Sequence, residues 1–354
     1  MKKNRKIVFT GGGTAGHVTP NMALIETLKQ KRWEIHYIGS PNGIEKSMIE
    51  GIGIPFYAVK SGKLRRYFSW KNLIDPLNVF VGIVQSFWLL RKLRPDVVFS
   101  KGGFVALPVV VGAWLNRTPV IAHESDISPG LANRLSFPFV TKICVTFDVA
   151  MVEFKKKNKI EVTGTPIRQQ LFQGNKEKGL ELCGFDTIMP TVLVVGGSLG
   201  SDPLNKAIRA GLSELTKHYQ VIHLCGKGKR SSDNHPAYYQ LEYANEELPD
   251  LLAASDIVIS RSGANALYEL LALAKPHVLV PLSRKASRGD QIQNAAYFQK
   301  QGISTVVDDD LLSPERLLTA VKDVFLHKDE LIAKMKALHI TSATYKIIRL
   351  FDTL

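Results

Sequence analysis

The sequence predicts an α/β protein made of two doubly wound parallel sheets. Three observations carry that reading. Short β-rich apolar runs alternate with amphipathic helical stretches along the whole chain, as repeated strand–helix–strand units do. Two of the runs lead into glycine loops that open helices, one near the start of each half. At 354 residues the chain is also long enough for two domains.

Strands are expected in the first half near Lys6–Thr10, Glu34–Ile38, Asp96–Ser100, Val120–His123 and Lys142–Thr146. In the second half they are expected near Thr191–Val195, Val221–Cys225, Asp256–Ser260, His277–Val280 and Ser304–Val307. Val192–Val195 and Ile257–Ile259 are continuous apolar runs, which suits strands covered on both faces. The two openings echo each other: Gly11–Gly16 then Thr19-Pro20, and Gly196–Gly200 then Asp202-Pro203. Thr19 and Asp202 are placed to cap helices, with Pro20 and Pro203 in the first helical position, where no amide donor is needed. Phe154–Phe172, with its Lys155–Lys157 run, Gly164 and Pro166, reads as a linker, and Pro314–Leu350 as a helical C-terminus.

Composition narrows the function classes. Hydrophobic residues make up 45% and charged residues 22%, which excludes a largely disordered chain. The three cysteines, Cys144, Cys183 and Cys225, are too far apart for a disulfide framework or a C-x-x-C site, and point to a reducing compartment. After the basic Met1–Lys6 the apolar run is short, so no signal peptide is expected. Leu77–Leu90 is broken by Asn78, Gln85 and Ser86 and falls short of a membrane span. The formal charge of +14 is unevenly spread: residues 1–168 hold 25 basic and 11 acidic side chains, residues 169–354 hold 21 of each. The first half alone should therefore meet an anionic partner, either nucleic acid or membrane phospholipid.

Gly11-x-Gly13-x-x-Gly16 matches the dinucleotide fingerprint, in which amides at a helix start hold a diphosphate. A nicotinamide site also needs an acidic residue after the second strand, and Tyr37-Ile38-Gly39-Ser40 supplies none. Gly196–Gly200 has the same capacity for phosphate, with Ser198 adding a hydroxyl; the plain alternative is a structural turn. Ser262-Gly263-Ala264 would expose amides at another helix start. Farther along that helix Glu269 is either solvated or bonded to ligand hydroxyls, and taken alone the solvated reading is favoured. Lys101-Gly102-Gly103 forms a further candidate anion loop; His17 and the His123-Glu124-Ser125-Asp126 run are placed at carboxyl ends of strands, where ligands of open α/β sheets bind. No two histidines and no two cysteines stand two to four residues apart, so no metal site is expected. In Tyr57–Trp88, Lys60, Lys63, Arg65, Arg66 and Lys71 interleave with aromatics and lead into an aliphatic stretch. That suits an anionic lipid surface better than a nucleic acid, the bland alternative being a core helix.

Gly12–Pro20, Lys101–Phe104, His123-Glu124, Gly164–Arg168, Gly196–Gly200, Arg261–Glu269 and Asp290-Gln291-x-x-Asn294-Ala295, taken in order, resemble the MurG family, the N-acetylglucosaminyltransferases of peptidoglycan synthesis. The resemblance is collinear over almost the full chain. It implies a GT-B fold, two Rossmann-like domains facing across a cleft. These are an acceptor and membrane-associating domain (1–163), a UDP-GlcNAc-binding domain (164–340) and a C-terminal helix (341–354) packing back on the first. It implies inverting transfer of N-acetylglucosamine from UDP-GlcNAc to the 4-hydroxyl of the muramoyl sugar of lipid I, giving lipid II. Neither metal nor cofactor is implied.

Carried over by position, Arg168 and Ser198 would meet the UDP diphosphate, and Ser262, Gly263 and Ala264 would hold the phosphates. Glu269 would take the ribose, which reverses the solvated reading, while the backbone near Asn245 would read uracil and Gln291 the sugar hydroxyls. Thr14, Ala15 and Gly16 would close over the donor, Asp126 would lie near the sugar or acceptor, and Gly13, Gly102 and Gly103 would take the acceptor diphosphate. His17 is the first candidate for general base because imidazole titrates near neutrality, with Asp126 and Glu124 as rivals. Departures are Ala15 for a second glycine, Leu199 for a glutamine, and Asp126 for an asparagine, which adds a carboxylate at that place. The implied partners are UDP-GlcNAc, lipid I and anionic inner-leaflet phospholipid bound through residues 60–90, without nucleic acid. The implied place is peripheral, on the cytoplasmic face of the cell membrane. Another GT-B enzyme, a diacylglycerol glycosyltransferase or a UDP-GlcNAc 2-epimerase, is the alternative.

Overall fold

The computed structural model describes residues 5–62, 71–154, 157–197 and 199–354. They fall into two units: Met1–Arg168 together with Ser342–Leu354, and Gln169–Thr341. In the first unit lie β1 (Lys6–Thr10), β2 (Glu34–Gly39), β3 (Phe56–Ala58), β4 (Val97–Ser100), β5 (Val120–Glu124), β6 (Lys142–Val145) and β7 (Ile160–Val162). All pair in parallel, in the order β3-β2-β1-β4-β5-β6-β7. The second unit holds β8 (Thr191–Val195), β9 (Gln220–Leu224), β10 (Tyr238–Leu241), β11 (Ile257–Ser260), β12 (His277–Leu279) and β13 (Thr305–Val306). These are also parallel, in the order β10-β9-β8-β11-β12-β13.

Strand alternation sends neighbouring residues to opposite faces, and both faces are apolar because both are covered. On one face Ile7, Phe9, Val97 and Phe99 join Val18, Leu24 and Leu28 of the Ala15–Gln30 helix. Ile347, Ile348 and Phe351 of the Thr344–Asp352 helix complete that core, and Arg5 donates to the Phe351 carbonyl at 2.7 Å. On the other face Val8 and Val98 meet Leu90 of the Lys71–Leu93 helix and Val109, Val110 and Ala113 of the Ala106–Leu115 helix.

The ten strands expected from sequence are present to within a residue at each end. Three more appear: β3, β7 and β10, and β7 lies inside the stretch read as a linker. Both helix starts also differ from expectation. Gly11 and Gly13 take φ of +152° and +88°, so the chain turns within the glycines and the helix begins at Ala15, with extended Thr14 ahead of it. Pro20 is therefore inside the helix, and Thr19 caps nothing; its hydroxyl donates to the Ala15 carbonyl at 3.0 Å. In the second unit Ser201, not Asp202, is the cap, accepting from the Leu204 amide, and Pro203 is the second helical residue.

Candidate active site

In an open parallel sheet, the crevice for a ligand opens at the carboxyl ends of two adjacent strands whose connections run to opposite sides. In the first unit that point lies between β1 and β4, and in the second between β8 and β11. The loops leaving these four strands are Gly11–Thr14, Lys101–Val105, Gly196–Gly200 and Arg261–Gly263. Every glycine loop singled out in the sequence thus falls on a switch point.

In the first unit the two loops touch. The Gly12 amide donates to the Gly102 carbonyl at 3.3 Å, and a Cβ on Gly103 (φ +85°) would stand 2.3 Å from the Gly12 carbonyl oxygen. Buried Glu45, which the sequence reading missed, sits behind them and accepts from the Gly13 amide at 3.1 Å, from the Ser40 amide at 3.0 Å and from the Ser40 hydroxyl. The Gly13 amide is thus turned inward, and an anion at this loop would face the start of the Ala15–Gln30 helix, at Thr14, Ala15 and Gly16. His17 lies in the first turn of that helix. Its Nδ1 is 2.9 Å from the Gly12 carbonyl oxygen, which can only accept, so Nδ1 carries the proton and the neutral ring has its lone pair on Nε2.

Glu124 ends β5 and is 4% exposed. Its carboxylate accepts from the Asp126 amide at 3.0 Å, the Gly130 amide at 3.1 Å and Asn133 Nδ2 at 2.9 Å, so it orders the loop that carries Asp126. Lys101, 1% exposed, places Nζ 2.7 Å from His123 Nδ1 and 3.4 Å from Thr165 Oγ1, and bonds Ser125 Oγ. Arg168 closes the first unit, its Nε buried without a hydrogen-bond partner.

In the second unit Ser262 and Gly263 lead into the Ala264–Ala272 helix, and Glu269 lies half-buried on its second turn. The structure brings Gln291 to this turn: Ser262 Oγ donates to the Gln291 carbonyl at 2.8 Å, and Asn294 Nδ2 donates to the Ser262 carbonyl at 3.2 Å. Buried Arg261 ties the two loops together, bonding Ser201 Oγ and pairing with Asp309 at 2.7 Å. Asn245 is exposed in the turn after β10, its amide on Glu247, and is not gathered with the others. Ser198 lies outside the described residues. Asp308, Asp309 and Asp310 read literally as Asp-x-Asp but serve the fold: Asp308 accepts from the Asp310 amide, and Asp309 and Asp310 pair with Arg261 and Lys285. Among the described residues no group of three His, Cys, Asp or Glu is gathered for a metal.

Of residues 60–90, positions 63–70, including Lys63, Arg65 and Arg66, lie outside the described residues. On the Lys71–Leu93 helix Leu77, Phe80, Val84 and Trp88 recur at helical spacing on one exposed face, with Phe80 62% and Trp88 64% accessible. Exposed Trp114 and Leu115 end the Ala106–Leu115 helix packed beside it. Among the described residues no helix is long and apolar enough to cross a membrane.

Residues 7–145 match the glycosyltransferase family 28 N-terminal domain, and residues 191–350 match its C-terminal domain. A relative from Legionella pneumophila (strain Paris) is 65% identical over 344 residues, covering 97% of this chain and 95% of its own. It is named UDP-N-acetylglucosamine–N-acetylmuramyl-(pentapeptide) pyrophosphoryl-undecaprenol N-acetylglucosamine transferase. A relative of the same name from Clostridium tetani is 52% identical over 354 residues, covering 99% and 98%. Among solved structures, Acinetobacter baumannii MurG superposes with a TM-score of 0.76 at 22% identity, covering 99% of this chain and 100% of that one. A putative UDP-N-acetylglucosamine 2-epimerase from Listeria monocytogenes gives 0.69 at 11% identity, covering 98% and 95%. At such identities both structures report on the fold, which is GT-B.

Proposed function

The chain belongs to glycosyltransferase family 28, among its MurG transferases, and from that membership we infer its reaction and the residues that carry it. It transfers N-acetylglucosamine from UDP-N-acetylglucosamine to lipid I and forms lipid II in peptidoglycan synthesis. The carrying observation is the 65% identity along nearly the whole length of a transferase of that name. The epimerase shares only the fold, at 11% identity.

In our reading the second unit takes the donor. The Ser262–Ala264 helix start and Ser198 hold the phosphates, Glu269 accepts from the ribose hydroxyls, Gln291 reads the sugar and the backbone at Asn245 reads uracil. The buried, partnerless Nε of Arg168 supports a guanidinium kept for a diphosphate. Thr14, Ala15 and Gly16 contribute from the first unit, and the Gly102-Gly103 loop takes the acceptor diphosphate without Gly13, whose amide is committed to Glu45. The acceptor 4-hydroxyl oxygen attacks the anomeric carbon while the bond to the UDP oxygen breaks, with inversion. The proton passes to the base, and the charge growing on UDP is met by amides and guanidinium. His17 suits the base, since its tautomer leaves Nε2 basic. Glu124 does not, because its carboxylate is spent on three loop donors. Asp126 remains the rival and the sugar contact. The exposed Leu77–Trp88 face, close to Arg91 and Lys92, supports peripheral seating on an anionic leaflet, where lipid I resides.

Incubation with labelled UDP-GlcNAc and a short-chain lipid I analogue tests the reading. We expect a disaccharide lipid and stoichiometric UDP; release of free sugar, or of epimer without acceptor, would overturn it.

A further inference from the structure

Lys101 is the first residue beyond β4, and sheet order sets β4 between β1, whose loop leads into the helix bearing His17, and β5, whose loop carries Asp126. It packs against both loops. A Cβ on Gly11 would stand 3.1 Å from Lys101 Cβ, and Nζ bonds Ser125 on the other side. His123 Nε2 lies 2.8 Å from the Gly164 carbonyl oxygen, so Nε2 carries the proton and Nδ1 offers Lys101 a lone pair. With Ser125 Oγ and Thr165 Oγ1, three acceptors surround a group that has three protons only as an ammonium. Burial opposes that charge and pulls the lysine down to about 7; the carboxylates of Glu124 and then Asp126 favour it, with the Cys144 thiol after them. Both carboxylates flank Ser125, which Nζ bonds, and of the two Glu124 weighs more.

We propose that Lys101 is a positioning residue for the transfer: its ammonium clamps Ser125 and Thr165, fixing the Glu124–Asp126 segment against the glycine loop that leads to His17. A buried cation without such a task is costly, and an apolar side chain of similar volume would serve packing alone. This rests on the transferase reading above, in which Asp126 and His17 face the acceptor.

The test compares the full-length parent, Lys101→Met, Asp126→Asn and the double variant, with lipid I analogue and UDP-GlcNAc as substrates. For folded Lys101→Met we expect kcat at least tenfold lower, and UDP-GlcNAc affinity by calorimetry within twofold of the parent. We also expect Asp126→Asn to cost at least fivefold less in the Lys101→Met background than in the parent, because a loosened loop has already lost the placement of Asp126. Should Lys101→Met not fold, Ser125→Ala carries the test, with kcat three- to tenfold lower at unchanged donor affinity. A folded Lys101→Met with parental kcat, strictly independent effects in the double variant, or a parental Ser125→Ala would overturn the proposal. If the parent transfers no sugar to lipid I, the transferase reading has failed instead.

Discussion

Glu45 offers a direct measure of what holds the first glycine loop. Its side chain is fully buried and accepts from the Gly13 amide at 3.1 Å, the Ser40 amide at 3.0 Å and the Ser40 hydroxyl. Glu45→Gln keeps the shape, removes the charge and replaces one acceptor by an NH2 donor. If the retained oxygen stays on Ser40, the new donor faces the Gly13 N–H, and a buried amide loses its partner. A hydrogen bond to a charged group is worth about 1.5–3 kcal/mol, and an orphaned buried donor costs about 1–3 kcal/mol. The two figures describe largely one event, so about 2 kcal/mol is the working loss. For a unit of this size that lowers Tm by roughly 4–8 °C. Calorimetric melting should show the drop, and kcat/KM for the lipid I analogue should fall because the loop before His17 loosens. UDP-GlcNAc affinity should hold, since the proposed donor residues lie mainly in the second unit. A melt within a degree of the parent, with unchanged transfer, would refute the idea that Glu45 fixes this loop.

Three further outcomes are expected. Gly103→Ala sets a Cβ 2.3 Å from the Gly12 carbonyl oxygen at φ +85°, so transfer should fall at least tenfold with a lower Tm; a parental rate would show that the loops part without cost. Phe80→Glu with Trp88→Glu places charge on the exposed apolar face, and sedimentation with anionic vesicles should decrease while UDP-GlcNAc affinity stays unchanged. Burial pushes the imidazoles of His277 and His223 down to about 4, the Arg209 guanidinium adding to the effect at His223. The unfolded chain takes up these protons near 6.5 and the native chain does not, so stability falls as pH drops from 6.5 to 4 and is untouched above. Melting of His277→Gln should lose less between pH 7 and 4.5 than the parent; equal losses would exclude this source.

The sheet centres were legible in the sequence because strands covered on both faces are written as continuous apolar runs, such as Val192–Val195. The three strands that escaped notice, β3, β7 and β10, are all at sheet edges. Phe56–Ala58 and Ile160–Val162 have only three residues, and Tyr238–Leu241 reads Tyr-Tyr-Gln-Leu, so short length and half-exposed faces erased the signal. Glycine spacing showed where the loops lie, and sheet order explains why they are there. It did not show what supports them. Glu45 stands more than thirty residues from Gly13 in sequence and Asn133 nine from Glu124; such buried polar partners follow from tertiary packing and leave no periodic trace. Ser262 and Gln291 were joined only through the family resemblance, and the hydrogen bond between them shows one physical reason for their pairing.

The closing helix of the chain belongs to the opening unit, where Ile347, Ile348 and Phe351 plug the core formed by Ile7, Phe9 and Phe99. During synthesis the N-terminal sheet therefore leaves the ribosome with a hole in it, and waits through the making of some 170 intervening residues before the plug arrives. The later-made unit, encoded without interruption, can finish first. A chain that stops just before Ser342 would have its second unit complete while its first still shows its oily interior to chaperones and proteases.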